Sequence, residues 1–262
     1  NPEDRIGTKG QFLYDLYCNL DARKRNFDVV LHLGYTSDSI WWWLWSNKSK
    51  HLTNMDGMEW LRSKYSKPTQ TFLRYAEKWA VKHSDGLIAD SIGVQQYLED
   101  SKNAQSIFIP YGADIPKKYD VGFLKEYMVE PQLYDLLIAR MEPENNIEMA
   151  IEAKLRSKVD LPLIIIANEN AFGLELKEKY KNEERVRIHI ADYRSKALNA
   201  LRHYARYYIH GHSVGGTNPS LLEAMACECM ILAHDNSFNR GVLLEGGKYF
   251  SSMDKLAELL DF

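Results

Sequence analysis

The feature that most constrains this chain is a repeating unit: a short apolar run, then a longer stretch with helical periodicity. The runs fall at 27–33, 50–55, 86–89, 106–110, 133–139, 161–167, 185–190, 206–211 and 229–234. Several of them, such as LPLIIIA at 161–167, are continuous rather than alternating. That is the signature of parallel strands covered on both faces. Helical periodicity fits 68–83, 91–100, 144–157, 171–181, 195–203, 219–226 and 252–261. This βαβα rhythm predicts an α/β chain built on doubly wound parallel sheets. A length of 262 residues allows one large domain or two modest ones. The rhythm weakens at 116–132, with Pro116, two lysines and Gly122, so the expected division is 1–122 and 123–262.

Composition narrows the function classes. The chain is 45% hydrophobic and 26% charged with net charge −3, an ordinary globular balance without bulk attraction to nucleic acid. Its three cysteines, Cys18, Cys227 and Cys229, lack zinc-like spacing and fit a reducing cytoplasm. No apolar run approaches the roughly 20 residues that span a bilayer. Together these predict a cytoplasmic protein, at most peripheral at the inner face of a membrane. No G-x-G-x-x-G follows any of the strands, which weakens a dinucleotide-dependent oxidoreductase.

The stretch HGHSVGGTNPSLLEAMAC, 210–227, has the make-up of an anion cradle. Asn218 suits a helix N-cap and Pro219 the first helical position. Leu221, Leu222, Met225 and Ala226 supply the apolar stripe. The unpaired N–H groups and positive dipole end of such a helix attract phosphate, and Gly215 and Gly216 allow close backbone approach. Glu223, about a turn inside, is poor for phosphate but good for accepting from neutral hydroxyls. Diphosphate plus diol describes a nucleotide sugar. A glycine-bent strand-to-helix turn with a solvated glutamate is the plain alternative.

Four ordered motifs, SVGGTNPSLLEAMACE, IARMEPENNIEMAIEA, NMDGMEWLRSKYS and GLIADSIGVQQYL, closely resemble the GT-B, family 4-like glycosyltransferases. The nearest branch is that of bacterial rhamnosyltransferases of surface-polysaccharide synthesis. The resemblance implies two Rossmann-like domains facing across a cleft, the second holding the donor. It implies that the backbone around Gly216, Thr217, Asn218 and Ser220 faces the diphosphate, with Leu221 also in the substrate-binding set, and that Glu223 binds ribose hydroxyls from an open cleft. Arg140 matches the phosphate-binding arginine; a salt bridge to Glu142 or Glu144 is its structural alternative. Asn236, Asn239 and Arg240 fall in the loop beside the donor sugar or base. The implied donor is dTDP-rhamnose or another nucleotide sugar, the implied acceptor a saccharide or a lipid-linked one. No cofactor and no metal is expected.

Departures from that pattern sharpen the expectations. The first acid of the E-x7-E pair is replaced by Gly215, and a lysine five residues after the arginine by Asn145; both stay in the expected donor-contact set. Asp56 stands where many relatives have a histidine near the reacting sugar, with Glu59 a second acid/base candidate. Asp-Gly is also a common turn. The first domain begins beyond the strand and glycine-rich turn usual in relatives, so an incomplete N-terminal lobe is expected. These departures support an alternative, a degenerate transferase acting as a nucleotide-sugar or partner-binding module. IWWWLWSNKSK, 40–50, packs in the core or acceptor side, or anchors the lobe at a bilayer interface. His210 and His212, without a nearby third ligand, read as packing or donor contacts rather than a metal site.

Overall fold

The computed structural model describes residues 7–62, 65–191, 194–214 and 216–262. The chain divides into two compact units, 1–110 and 111–262.

In the first unit, α1 (Gly10–Arg25) leads into β1 (Val29–His32) and β2 (Lys50–Asn54). Then come α2 (Lys67–His83), β3 (Gly86–Ala89), α3 (Ile92–Lys102) and β4 (Ile107–Phe108). The sheet runs β1-β2-β3-β4, all parallel. Local chemistry sets the helix starts. Ser66 caps α2 by accepting from Thr69 N, with Pro68 in its first turn, and Ser91 caps α3 by accepting from Val94 N. Residues 39–44 of the tryptophan run form a 3-10 helix. Trp45 is buried and stacks on His32 and His51, with ring centroids 4.2 and 4.8 Å away. Trp41 donates its ring N–H to Phe12 O. Trp42, stacked on His83, and Trp43 lie at the surface.

The second unit comprises β5 (Asp135–Ile138), α4 (Ile147–Arg156), β6 (Leu163–Ala167), α5 (Ala171–Lys179) and β7 (Val186–Ile190). It continues with α6 (Ser195–Tyr204), β8 (Tyr207–His210), α7 (Pro219–Ala226) and β9 (Ile231–His234), then α8 (Ser237–Leu243), β10 (Gly247–Phe250) and α9 (Met253–Leu260). Its sheet is wholly parallel, in the order β10-β9-β8-β5-β6-β7. β6 explains its own sequence. Leu163, Ile165 and Ala167 enter one core cluster, while Ile164 and Ile166 enter the other on the opposite face. A strand with period 2 and two buried faces has no place for a polar residue.

The unit boundary falls earlier than the expected 122. The stretch that reads as a linker contains a 3-10 helix, Val121–Tyr127, whose Leu124 and Tyr127 are buried in the second unit's core. That segment folds as part of the second unit. The helices α1 and α8 and the strand β10 also lie beyond the expected set.

Candidate donor site

Winding direction locates the site. From β5 the chain steps outward through β6 to β7, and from β8 through β9 to β10 on the other side. The order therefore reverses between β5 and β8, and ligands of open α/β sheets bind beyond the carboxyl ends of strands at such a switch point. A cavity of about 400 Å³ lies there. It is lined by Ala139 and Arg140 after β5, Asn168 after β6, Ala191 after β7 and His212 after β8. Asn218, Pro219, Ser220 and Glu223 of the α7 start complete it, with Ser195, Leu198, Asn199 and Arg202 on the inner side of α6.

The α7 start is built as its residues dictate. Asn218 is the N-cap and accepts from Ser220 N at 2.9 Å, and Pro219 opens the helix. The Leu221 side chain joins the core at 1% exposed, as its place on the apolar stripe of α7 requires. Thr217 is buried. Gly215 lies outside the described residues. Ser220 Oγ lies 2.7 Å from Tyr208 Oη.

A glycine outside the expected set lets β8 reach the site. A Cβ at Gly211 would lie 2.2 Å from Asn145 O, so only glycine allows β8 to pass this close to residues 143–145. Ser213 N and Oγ both donate to Glu144 O, at 3.0 and 2.8 Å, and Asn146 donates to Gly211 O at 2.8 Å. The loops after β5 and β8 are thereby stitched together.

Several expected donor contacts are occupied within this scaffold. The Asn145 amide is buried and donates to Arg140 O at 2.8 Å, which shapes the loop carrying the arginine. Asn236 caps α8, accepting from Asn239 N at 2.9 Å, and donates to His212 O at 3.0 Å. Asn239 is buried and donates to His212 O and His234 O. Arg240 pairs with Asp235. Arg140, by contrast, is exposed at the switch point and makes no ion pair with Glu142, Glu144 or any other described residue. His210 is buried with neither ring nitrogen hydrogen-bonded among the described residues, and burial holds its pKa well below the ordinary histidine value. It stacks on His212 with centroids 4.3 Å apart. No cluster that could hold a metal ion occurs among the described residues.

Glu223 departs from its expected setting. One carboxylate oxygen contacts the Arg202 guanidinium, and Arg202 is 2% exposed. Sequence reading misses Arg202, though a signal is there: an arginine four residues after Leu198, on the apolar stripe of α6. The open-cleft reading makes Glu223→Gln neutral for the unliganded protein. With Arg202 depending on that carboxylate, the substitution instead costs about 1–3 kcal/mol. A thermal midpoint equal to wild type would show that the pair carries no weight.

The acid/base candidates lie in the first unit. Asp56, at φ 34°, and Gly57, at φ 79°, form a left-handed turn after β2 that leaves Asp56 exposed. Asp56 joins Asp15, His32, Ser37 and Asp38 around a cavity of about 570 Å³. His32 Nδ1 lies 2.5 Å from Asp38 Oδ2 and His32 Nε2 lies 2.9 Å from His51 Nδ1. Burial raises the Asp15 carboxyl above its usual pKa. Glu59 is outside that cavity and pairs with Arg62 at 2.7 Å.

Against known proteins, residues 128–261 match the family described as glycosyl transferases group 1. Residues 44–114 match a domain of unknown function, DUF1972. No curated protein matches the chain. Among solved structures, HepE of Anabaena in complex with UDP is similar at TM-score 0.73 and 17% identity, over 96% of this chain and 72% of that one. Sucrose-phosphate synthase of Thermosynechococcus elongatus is similar at TM-score 0.77 and 16% identity, over 97% and 69%. A glycosyltransferase of Rickettsia africae gives TM-score 0.66 and 16% identity, over 95% and 70%. The α/β fold with parallel sheets is that of these GT-B proteins.

Proposed function

The chain belongs to the group 1 glycosyl transferases, and we propose that it moves rhamnose from a nucleoside diphosphate sugar, dTDP-rhamnose, to a saccharide or lipid-linked acceptor in surface-polysaccharide synthesis. The observation that carries the donor half is Arg140, paired with no described residue, facing the switch-point cavity beside the start of α7. A fixed cation and a helix N-terminus together suit a diphosphate. As the glycosidic bond to the leaving diphosphate breaks, its negative charge grows, and both groups act where that charge develops. Glu223 offers its carboxylate to the pentose. No metal is called for, because the guanidinium and the dipole supply the positive charge.

The acceptor half rests on the first unit, where Asp56 is an exposed acid beside the cavity that Asp15, His32 and Asp38 also line. No helix among the described residues is long and apolar enough to cross a membrane. Peripheral contact with the inner face of the cell membrane would run through exposed Trp42 and Trp43 and neighbouring Lys48. Such aromatic and basic pairs favour the bilayer interface.

The test is turnover with dTDP-, UDP- and GDP-sugars and saccharide or lipid-linked acceptors, with and without EDTA. The expected result is glycoside formation from dTDP-rhamnose that EDTA leaves unchanged. Nucleotide-sugar binding without turnover on any acceptor would favour the binding-module reading motivated by Gly215 and Asn145.

A further inference from the structure

Ala139 N still donates to Ile166 O of β6, at 3.2 Å, so the sheet holds the chain up to the residue before Arg140. Past Arg140 the chain turns at once. Glu142 N donates to Arg140 O at 2.8 Å, which closes a three-residue γ-turn centred on Met141. That one internal bond leaves the N–H and C=O of Met141 without partners inside the turn. The loop after β6 supplies both. Asn168 Oδ1 accepts from Met141 N at 2.9 Å, and Asn170 Nδ2 donates to Met141 O at 2.5 Å.

Arg140 O and Met141 N belong to one planar peptide. The Asn145 amide holds its oxygen end and Asn168 its nitrogen end. The Met141 side chain is a further anchor. It is 1% exposed and lies against the first turn of α5, where a Cβ at Gly173 would come within 2.9 Å of Met141 Cγ. Asn170 is itself fixed, since its Oδ1 caps α5 by accepting from Gly173 N at 2.8 Å. The exposed Arg140 side chain therefore springs from a backbone gripped by a neighbouring loop. A long side chain on a loose backbone must be ordered twice when it binds, and here the backbone share is already settled.

We infer that Asn168 and Asn170 are positioning residues for the donor: through Met141 they aim the Arg140 guanidinium at the diphosphate. This rests on the donor-site reading above and extends it to the loop after β6. Asn168 lines the donor cavity and Asn170 lies outside its lining, so the two probe the same grip with and without access to a ligand.

The test is a double-mutant cycle read by titration calorimetry, with whichever of dTDP, UDP and GDP binds the wild-type chain most tightly. Asn168→Ala removes the acceptor for Met141 N. Asn170→Ser keeps a good cap for α5 and adds no charge, but gives up the amide donor to Met141 O. Each should weaken diphosphate binding about three- to tenfold, part of the cost of ordering one residue's backbone. In an Arg140→Ala chain neither should change it by more than about twofold, the usual error of additivity, because no guanidinium is left to aim. Equal losses in both backgrounds would overturn the inference, since a direct ligand contact or general damage to the site needs no Arg140. So would a loss below about twofold for Asn170→Ser beside an intact Arg140, and that variant decides alone if Asn168→Ala fails to fold. In either case a weakened Arg140→Ala chain leaves the donor site itself standing. If Arg140→Ala binds the diphosphate as tightly as wild type, or wild type binds none of the three, the donor-site reading falls and this inference with it.

Discussion

Asp135→Ala lowers the stability of the second unit by about 3–5 kcal/mol, the cost of breaking a buried ion cluster by removing one partner. Asp135 is fully buried at the start of β5, the strand between β6 and β8. Its Oδ2 accepts from Lys154 Nζ and Arg206 NH2, each at 2.9 Å, and its Oδ1 from Arg206 Nε at 2.9 Å. The Lys154 side chain is 0% exposed, and burial already pulls its pKa below the ordinary lysine value, against the pull of Asp135. Without the carboxylate that cation is left in the interior alone, and Arg206 loses both forks of its grip. Urea unfolding of the full chain should show a large drop in midpoint. Asp135→Leu combined with Lys154→Met should recover much of the loss, since an apolar replacement of a buried pair is often neutral or better. A loss below about 1 kcal/mol for Asp135→Ala, the size of an exposed pair, would show that Lys154 is already neutral.

Arg140→Ala should weaken nucleoside diphosphate binding by about 1.5–3 kcal/mol, the worth of a hydrogen bond to a charged group, which is roughly 10- to 150-fold. Binding of the bare nucleoside should change little, because the contact is with phosphate. Stability should hold as well, since Arg140 is exposed and ion-paired to nothing described. What fixes its place is the backbone: Asn145 donates to Arg140 O, and Glu142 N donates to the same oxygen at 2.8 Å. Titration of wild type and variant with diphosphate and nucleoside decides it. Equal losses for both ligands would assign Arg140 a structural role.

How much of this can be read from residues alone depends on what each residue answers to. β6 is legible because both its faces are buried, and its apolar run says so directly. The α7 start is legible because Asn218 and Pro219 act locally, through one cap bond and one fixed dihedral. The helix α8 is seven residues long, too short to establish a period, and β10, GKYF, buries only Phe250 and so shows no apolar run. α1 buries few of its side chains and so carries no strong stripe.

Side-chain amides are the hardest to read. Asn145, Asn236 and Asn239 look like ligand contacts in the sequence, yet each donates to a backbone carbonyl, and Asn236 and Asn239 share one far back along the chain, His212 O. Glu223 reads as a free acid because its partner, Arg202, lies on another helix 21 residues away. Gly211 gives no sign of its role, since the atom it must clear, Asn145 O, is brought near only by the fold.

The most direct measurement is a structure of the chain with a nucleoside diphosphate bound. The diphosphate should sit at the start of α7 within hydrogen-bonding reach of Arg140, and the pentose should meet the Glu223 carboxylate. A nucleotide bound elsewhere, or a diphosphate turned away from α7 with Arg140 unengaged, would contradict the donor site described above.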